Sequence, residues 1–188
     1  MPNSERRRHL TDAGIEVLAE QGGRGLTHRA VDRRADVPAG TTSNYFRRRE
    51  DLLFGLIDRV YERLAPSDEV AAALARRTPD RALYADYLRD IVRRLTAQRS
   101  VTLALFELRL EAARNPRIAE TVGVFLRERF QEDAAFVASA DLPGGPAEVA
   151  LFHYALDGLL LDRLTTPIDP EGSTDAVVDR LVDALLPE

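Results

Sequence analysis

A tight break at residues 36–38 separates two short helical patterns, and this pairing constrains the fold more than any other feature of the chain. The first pattern, residues 27–35, opens at Thr27, whose hydroxyl can accept a hydrogen bond from an amide of the first helical turn. Pro38 has no N–H to donate and disfavours a helical conformation at the residue before it, so the first helix has to end before Pro38. The second pattern covers residues 40–46. Together they predict two short helices joined by a tight turn.

The second of these helices is crowded with hydrogen-bonding side chains, in the run Thr41, Thr42, Ser43 and Asn44. These residue types are poor helix formers, so their presence indicates a role other than helix stability. In the major groove of DNA, asparagine can pair with the edge of adenine, and the hydroxyls of threonine and serine can contact several bases. The arrangement therefore predicts a helix-turn-helix whose second helix enters the major groove.

Residues 5–53 resemble the DNA-binding domain of the TetR family of transcriptional regulators. The resemblance is carried by Thr27, Arg29, the turn Ala35-Asp36-Val37, Phe46 and the run Arg49-Glu50-Asp51-Leu52-Leu53. Four positions depart from the family pattern, which usually has Ala, Gly, Leu and Tyr where this chain has Asp32, Asp36, Thr42 and Ser43. Because the last two departures fall in the predicted recognition helix, the operator sequence does not follow by analogy.

The resemblance implies contacts to bases from both helices. Arg29 would reach a guanine edge, and the alternative for it is a surface ion pair with Asp32 or Asp36. Asn44 would contact a base, and the alternative is a solvated side chain. The remaining expected reading positions are Ala39, Gly40, Thr41 and Ser43. Five further residues are expected to contact phosphates, and so to position the protein without reading sequence: Thr27, His28, Tyr45, Arg48 and Arg49. Phe46 and Leu26 are predicted to be core residues.

The charge of the chain is divided unevenly. Residues 1–50 carry ten arginines and seven acidic residues, a net charge of +3, whereas residues 51–188 carry −8 and the whole chain −5. A basic head on an acidic body fits a protein that docks onto DNA by one end. The absence of cysteine excludes disulfides and thiolate metal sites, and the three histidines lie far apart in sequence, so no metal site or cofactor is predicted.

Apolar residues recur at helical spacing through the rest of the chain, and no stretch of useful length alternates as a β-strand does. Helices are predicted over residues 4–21, 49–64, 79–99, 100–114, 116–139, 146–165 and 173–186, with a short weak one at 69–76. The predicted fold is therefore all-α. With the resemblance, it comprises a three-helix helix-turn-helix DNA-binding domain at residues 1–48 and a helical ligand-binding and dimerisation domain at residues 49–188.

The segment of residues 146–165, which begins at Pro146, is apolar almost all round and so needs covering on more than one side. The segment of residues 173–186 offers a second apolar face. The two segments could form the centre of a monomer. The resemblance implies a homodimer instead, with both helices of each subunit in a four-helix bundle. Its two-fold symmetry would match a palindromic double-stranded DNA operator, with half-sites about 34–36 Å apart or a multiple of that.

The resemblance also implies a pocket for a small-molecule effector. The residues that could line it are Tyr61, Tyr84, Tyr87, Phe106, Arg109, Phe125, His153 and Asp157, with Glu107, Glu111 and Tyr154 as further candidates. His153 and Asp157 are four residues apart and share one face of a helix, so they could hold a polar ligand group or pair with each other. A histidine of the core or of an interface is the plainer interpretation of His153. An apolar or amphipathic effector is the default expectation.

The expected function is a dimeric repressor released from its operator by the effector. The alternatives are an activator on the same fold, or a helical enzyme or ligand-binding module. No enzyme is predicted, because the chain has no HExxH motif, no phosphate loop after a strand and no nucleophile with an identifiable base. The N-terminal segment is charged and amphipathic rather than a signal peptide, and no apolar run reaches the roughly 20 residues of a membrane span, so a cytoplasmic protein with no membrane contact is expected.

Overall fold

The computed structural model describes residues 3–186, without the side chains at positions 68 and 71, and every regular element in that range is an α-helix. The helices are α1 Asn3–Gly25, α2 His28–Arg34, α3 Thr41–Tyr45, α4 Arg49–Leu64, α5 Asp68–Leu74, α6 Arg81–Ala97, α7 Arg99–Ala112, α8 Pro116–Ser139, α9 Pro146–Leu164 and α10 Thr174–Leu185. The all-α fold predicted from the periodicity is confirmed, including the short helix after residue 66 and the bounds of α4 and α8.

The range given for α1 contains a break next to the predicted end at residue 21. Gly22 leaves the helical conformation, with φ 65° and ψ −178°, and helical structure then continues to Gly25. Glycine suits this position because other residues rarely adopt a positive φ. The long helical segment therefore ends at Gly22, as predicted, and a short helical segment follows it up to Gly25.

The first compact unit contains the chain up to Ala65 together with Gln98–Phe125. In it, α1 packs on α7, α2 and α4, and α4 also packs on α7. Its core contains fully buried side chains from every one of these helices and from α8: Leu10, Ile15, Leu18, Val31, Phe46, Leu53, Leu56, Leu108 and Ile118. The helix-turn-helix is thus one part of a larger packed body that also includes α4 and α7.

The second compact unit contains Pro66–Ala97 together with the chain from Leu126 onward. Here α10 packs on α6 and α9, and α6 packs on α9. The core of this unit includes Leu83, Tyr84, Leu88, Phe152, Leu160 and Val178. The domain boundary predicted between residues 48 and 49 divides the chain by function, whereas the two units described here divide it by packing. The predicted boundary therefore stays a prediction.

Candidate DNA-binding site

The turn between α2 and α3 is built from backbone conformations that few residues adopt. Thr27 caps α2 as predicted, since its Oγ1 accepts a hydrogen bond from the Ala30 amide at 3.1 Å. Asp36 takes φ 51°, the left-handed conformation that aspartate tolerates better than most residues. Gly40, the residue before α3, has φ 91°, which favours glycine at this position. The predicted helix-turn-helix geometry is present.

The N-terminus of α3 is capped by a side chain from α2. Asp32 Oδ2 accepts a hydrogen bond from the Gly40 amide at 2.8 Å, and Oδ1 accepts one from the Thr42 amide at 2.7 Å and one from the Thr42 hydroxyl at 2.5 Å. Asp32 is 3% exposed and Thr42 is fully buried. Two of the four departures from the family pattern are therefore bonded to each other. Burial alone would raise the pKa of Asp32, but the hydrogen bonds from Thr42 and Gly40 and the charge of His28 hold it below its ordinary value.

The other end of α3 is also tied to α2. The Nε2 atom of His28 lies 2.6 Å from the carbonyl oxygen of Phe46, the residue that follows α3. His28 and Asp32 are four residues apart, so they lie on the same face of α2. The phosphate contact predicted for His28 stays a prediction, and its Nδ1 atom is the nitrogen left to make it.

Phe46 anchors the junction between α3 and α4. Its side chain is fully buried, as Leu26 nearly is, which confirms that both are core residues. The guanidinium carbon of Arg7 lies 4.4 Å from the centroid of the Phe46 ring, a cation–π contact. The ring atoms Cε1 and Cζ lie against Gly55 of α4. The C-terminal end of the predicted recognition helix is thus fixed by core packing.

Most of the expected base-reading residues are on the surface. Arg29, Ala39, Gly40, Ser43 and Asn44 are exposed. Among residues 3–186, the guanidinium of Arg29 makes no ion pair and the carboxamide of Asn44 makes no hydrogen bond. The alternative in which Arg29 pairs with Asp32 is wrong, because the Asp32 carboxylate is buried and bonded to α3.

Two hydroxyls on the reading surface have their hydrogens engaged within the turn. The Thr41 hydroxyl donates to the Pro38 carbonyl at 2.6 Å, and the Ser43 hydroxyl donates to the Gly40 carbonyl at 2.8 Å. A hydroxyl that donates internally keeps its lone pairs as acceptors. In this conformation, both side chains would offer acceptors to a base edge.

The residues expected at phosphates divide into exposed and engaged side chains. Thr27 is exposed and Tyr45 is half-buried. Arg48 is exposed and bonds the carboxylate of Asp51 one turn into α4, with its Nη2 atom 2.8 Å from Oδ1. This pair closes the N-terminus of α4 and still leaves the guanidinium in solvent.

Arg49 is engaged with parts of the chain outside the helix-turn-helix. Its Nη1 donates to Glu111 Oε1 at 2.8 Å and its Nη2 donates to the Gly23 carbonyl at 2.7 Å. Glu107, a turn earlier on α7, accepts from the Gly23 amide at 3.2 Å. A phosphate contact by Arg49 would compete with these bonds. No local pattern could have indicated them, since Arg49 and Glu111 are 62 residues apart.

The expected effector-binding residues fall into both compact units. Tyr61 stacks on Phe125 with an angle of 16° between the ring planes, in the unit that also holds Phe106, Arg109, Glu107 and Glu111. The second unit holds the other expected residues, Tyr84, Tyr87, His153, Tyr154 and Asp157. In that unit the His153 Nε2 atom lies 3.0 Å from Asp133 Oδ2. His153 thus has a carboxylate partner on α8, and the predicted effector pocket stays a prediction.

Within the described residues, no group of three or more His, Cys, Asp or Glu side chains is arranged to hold a metal ion. In the same part of the chain, no helix combines the length and the apolar character needed to cross a bilayer.

Comparisons with known proteins identify relatives of this chain. The family model described as "Tetracyclin repressor-like, C-terminal domain" matches residues 79–188. The HTH-type transcriptional repressor KstR of Mycolicibacterium smegmatis is 40% identical over 76 residues, a stretch that spans 40% of this chain and only 36% of KstR.

Solved structures match over nearly the whole chain. The multidrug binding protein EbrR, in complex with imidazole, is 28% identical with a TM-score of 0.69, and the match covers 97% of this chain and 96% of EbrR. A TetR-family member from Streptomyces coelicolor A3 is 27% identical with a TM-score of 0.71, covering 98% of this chain and 99% of that one. Since the family model matches more than half of the sequence, the chain belongs to the TetR family of transcriptional regulators.

Proposed function

We propose that this protein is a homodimeric repressor that binds a palindromic operator and is released from it by a small-molecule effector. TetR-family proteins are regulators rather than enzymes; they bind DNA operators, act as dimers and respond to small-molecule effectors. The observation that carries the proposal is the pair Arg29 and Asn44. Both side chains are exposed and make no ion pair or hydrogen bond within the described residues, and they lie on two helices whose N-termini are capped by side chains.

The reading chemistry follows from these two side chains. A guanidinium can bond both the O6 and N7 atoms of guanine, and a carboxamide can bond both the N6 and N7 atoms of adenine. Each such pair discriminates against the wrong base by about 1–3 kcal/mol. Thr41 and Ser43 would add acceptors beside Asn44, while Ala39 and Gly40 would allow the backbone to approach the groove. Thr27, His28, Tyr45 and Arg48 are the proposed phosphate contacts. Arg49 was the fifth candidate, but its guanidinium is bonded to Glu111 and Gly23, so we propose that it holds α4 in place instead.

The surface of α9 supports the proposed dimer. Leu151, Tyr154 and Leu161 are 45%, 71% and 48% exposed, and they share one face of α9 with Gly158. A Cβ added at Gly158 would meet nothing within 4 Å, so a second helix has room to approach closely there. Large apolar side chains grouped on one exposed face mark an interaction surface. We propose that this face, with α10, packs against its copy in the partner subunit.

The effector is proposed to be an amphipathic organic molecule. EbrR, the structural relative described above, has been solved in complexes with malachite green, proflavin and ethidium. These dyes are aromatic cations, and this chain has an acidic body that contains stacked and edge-on aromatic pairs, Tyr61 with Phe125 and Tyr87 with Phe136. The three dyes are therefore suitable first probes, with fluorescence or absorbance as the readout.

The test is a selection of random duplex DNA by the purified protein at several salt concentrations. We expect recovery of a palindrome whose half-sites are about 34–36 Å apart, or a multiple of that. Asn44→Ala should lose that consensus while remaining dimeric. Gln131→Ala, an exposed amide on α8, is the matched control and should keep it. Recovery of no consensus, with a shallow salt dependence, would mean that the helix-turn-helix does not read DNA.

Repression is distinguished from activation by a reporter gene placed behind the recovered operator. Lower expression in the presence of the protein, restored by a dye that binds it, supports the proposal. Higher expression would identify the alternative, an activator on the same fold.

A further inference from the structure

We propose that Asp32 is a positioning residue for operator recognition. From its place on α2, Asp32 caps the N-terminus of α3 and bonds Thr42, and this pair fixes the recognition helix relative to Arg29. Discrimination between bases therefore depends on the Asp32–Thr42 pair. This inference rests on the proposed DNA-binding function. It arises from two positions, Asp32 and Thr42, that both depart from the usual family pattern.

The recognition helix has little stability of its own. It is five residues long, and four of those residues are Thr, Thr, Ser and Asn, which compete with the helix for backbone hydrogen bonds. Its N-cap residue is Gly40, which has no side chain to accept a bond from the first amides. Isolated helices of this length do not persist in water. The conformation of α3 must therefore come from contacts outside it.

Asp32 provides those contacts at the N-terminal end. One carboxylate oxygen accepts the Gly40 amide, and the other accepts both the amide and the hydroxyl of Thr42. A carboxylate at this end also interacts favourably with the helix dipole. Because the two oxygens bond two different residues at the start of α3, the carboxylate restricts the rotation of α3 as well as its distance from α2.

His28 provides the second point of attachment. Its bond to the Phe46 carbonyl lies beyond the C-terminal end of α3, whereas Asp32 holds the residues at its start. Two attachments from one face of α2 hold α3 at both ends. We call the two attachments, at Asp32 and His28, the α2–α3 clamp. Because Arg29 is the next residue after His28, this clamp also sets the position of the Arg29 side chain relative to Asn44. Those two side chains are the proposed readers of sequence.

The sign of the charge supports a positioning role. A carboxylate within a DNA-binding motif repels phosphates, so it lowers affinity for every DNA sequence. Asp32 is 3% exposed and bonded to three donors, which means that its charge is committed to the motif and unavailable to solvent. A residue that opposes general DNA binding while ordering the recognition helix is expected to contribute to discrimination between sequences.

The experiment compares Asp32→Asn with Asp36→Asn. Both variants lose one negative charge from the same motif, but Asp36 is exposed and asparagine tolerates its left-handed conformation. The probe is the consensus duplex recovered by selection with the wild-type protein, together with duplexes changed at single positions. The readout is the ratio of affinities for consensus and changed duplexes, measured at a temperature where circular dichroism shows each variant to be folded.

For Asp32→Asn, we expect this ratio to fall by about five- to tenfold, at the lower end of the discrimination that one bidentate base contact provides. An amide in place of the carboxylate sets an N–H group against one of the donors that Asp32 now accepts. Asp36→Asn should keep the wild-type ratio and bind all duplexes equally well or more tightly. An unchanged ratio in folded Asp32→Asn would overturn the inference, because a purely structural role changes the folded fraction and leaves discrimination intact.

Thr42→Val is the second variant, in case Asp32→Asn does not fold. It removes the hydroxyl bond to Asp32 and keeps both backbone bonds and the side-chain volume, so the ratio of affinities for consensus and changed duplexes should fall by a smaller factor.

Hydrogen exchange by NMR, without DNA, tests the clamp itself. The Gly40 and Thr42 amides should be protected in the wild type and in Asp36→Asn, and should exchange faster in Asp32→Asn.

The outcomes separate this inference from the function on which it rests. If the wild type recovers no consensus, the proposed function fails and the role of Asp32 in discrimination fails with it. If the wild type does recover a consensus but the Gly40 and Thr42 amides exchange rapidly, the inference alone is overturned.

Discussion

The ring of Phe46 lies so close to the backbone of Gly55 that a Cβ atom added at Gly55 would be 2.6 Å from Cε1 of the ring. Real Cβ atoms do not approach a carbon this closely, and the ring is fully buried, so it cannot swing into solvent. The absence of a side chain at one position of α4 is therefore what allows the end of the recognition helix to dock.

Gly55→Ala should destabilise the protein even though alanine is the better helix former. The helix gains about 1 kcal/mol from the exchange, whereas overpacking of a core costs about 1–3 kcal/mol. We expect a net loss of up to about 2 kcal/mol in the free energy of unfolding, measured with urea. In a Phe46→Leu background the ring is gone, so Gly55→Ala should be neutral or stabilising. A similar loss in both backgrounds would show that the contact is not the cause.

Local signals account for much of what could be predicted from the sequence. The cap at Thr27, the stop before Pro38 and the bounds of α4 follow from interactions within a few residues of each other. The exposure of Arg29 and Asn44 follows from the same periodicity. Each of these features depends on spacing along the chain, which is visible in a sequence.

The contacts that fix the site could not be predicted, because they join residues without a common pattern. Asp32 and Thr42 were each recognisable as a departure from the family pattern, but nothing in the sequence showed that one bonds the other. Arg49 was expected at a phosphate because of its charge and its place in the motif. Its contact with Glu111 depends on the packing of α4 and α1 against α7, which only the structure reveals.

Arg48 and Arg49 are neighbours of the same type, and the structure leads us to expect different effects from them. Arg48→Ala should weaken binding to all duplexes alike and reduce the slope of log affinity against log salt by about 1, because one phosphate contact is lost. Arg49→Ala should leave that slope unchanged and lower the free energy of unfolding by about 1 kcal/mol, because Gly23 and Glu111 lose their donor. Affinity measured at four or more salt concentrations, with urea unfolding alongside, distinguishes them. An equal change of slope in both variants would place Arg49 on a phosphate.

Asp32 should make the stability of the protein depend on acid pH. Its pKa is lower in the folded chain than in the unfolded chain, so the ionised carboxylate stabilises the fold above about pH 4. That contribution is lost as the pH falls through the lower pKa of the folded state. The difference in unfolding free energy between the wild type and Asp32→Asn should therefore be largest above pH 5 and shrink as the pH falls below about 4. A difference that stays constant across this range would contradict the prediction.

Tyr84 should make the stability of the protein fall as the pH rises in the alkaline range. Burial of its hydroxyl, with Asp133 and Glu148 adding negative charge nearby, raises its pKa to about 12. In the unfolded chain a tyrosine ionises near pH 10, so the neutral form stabilises the fold below about pH 10, and this stability is lost as the pH rises towards 12. Absorbance at about 295 nm reports tyrosinate formation. The difference in this absorbance between the wild type and Tyr84→Phe should rise with a midpoint near pH 12. A midpoint near pH 10 would show that the Tyr84 hydroxyl is accessible to solvent.

The proposed dimer can be tested with two leucines of nearly equal exposure. Leu161 lies on the exposed apolar face of α9 and is 48% exposed, and Leu110 lies on α7 and is 50% exposed. Leu161→Glu would place a charge on each side of the two-fold axis, where the partner's copy of the same face must pack, and burying an unpaired carboxylate there is strongly unfavourable. We expect this variant to sediment as a monomer and to lose binding to the palindromic duplex, since a single half-site retains only part of the contacts. Leu110→Glu should remain dimeric and keep its affinity. A dimeric Leu161→Glu variant would show that the subunits associate through a different surface.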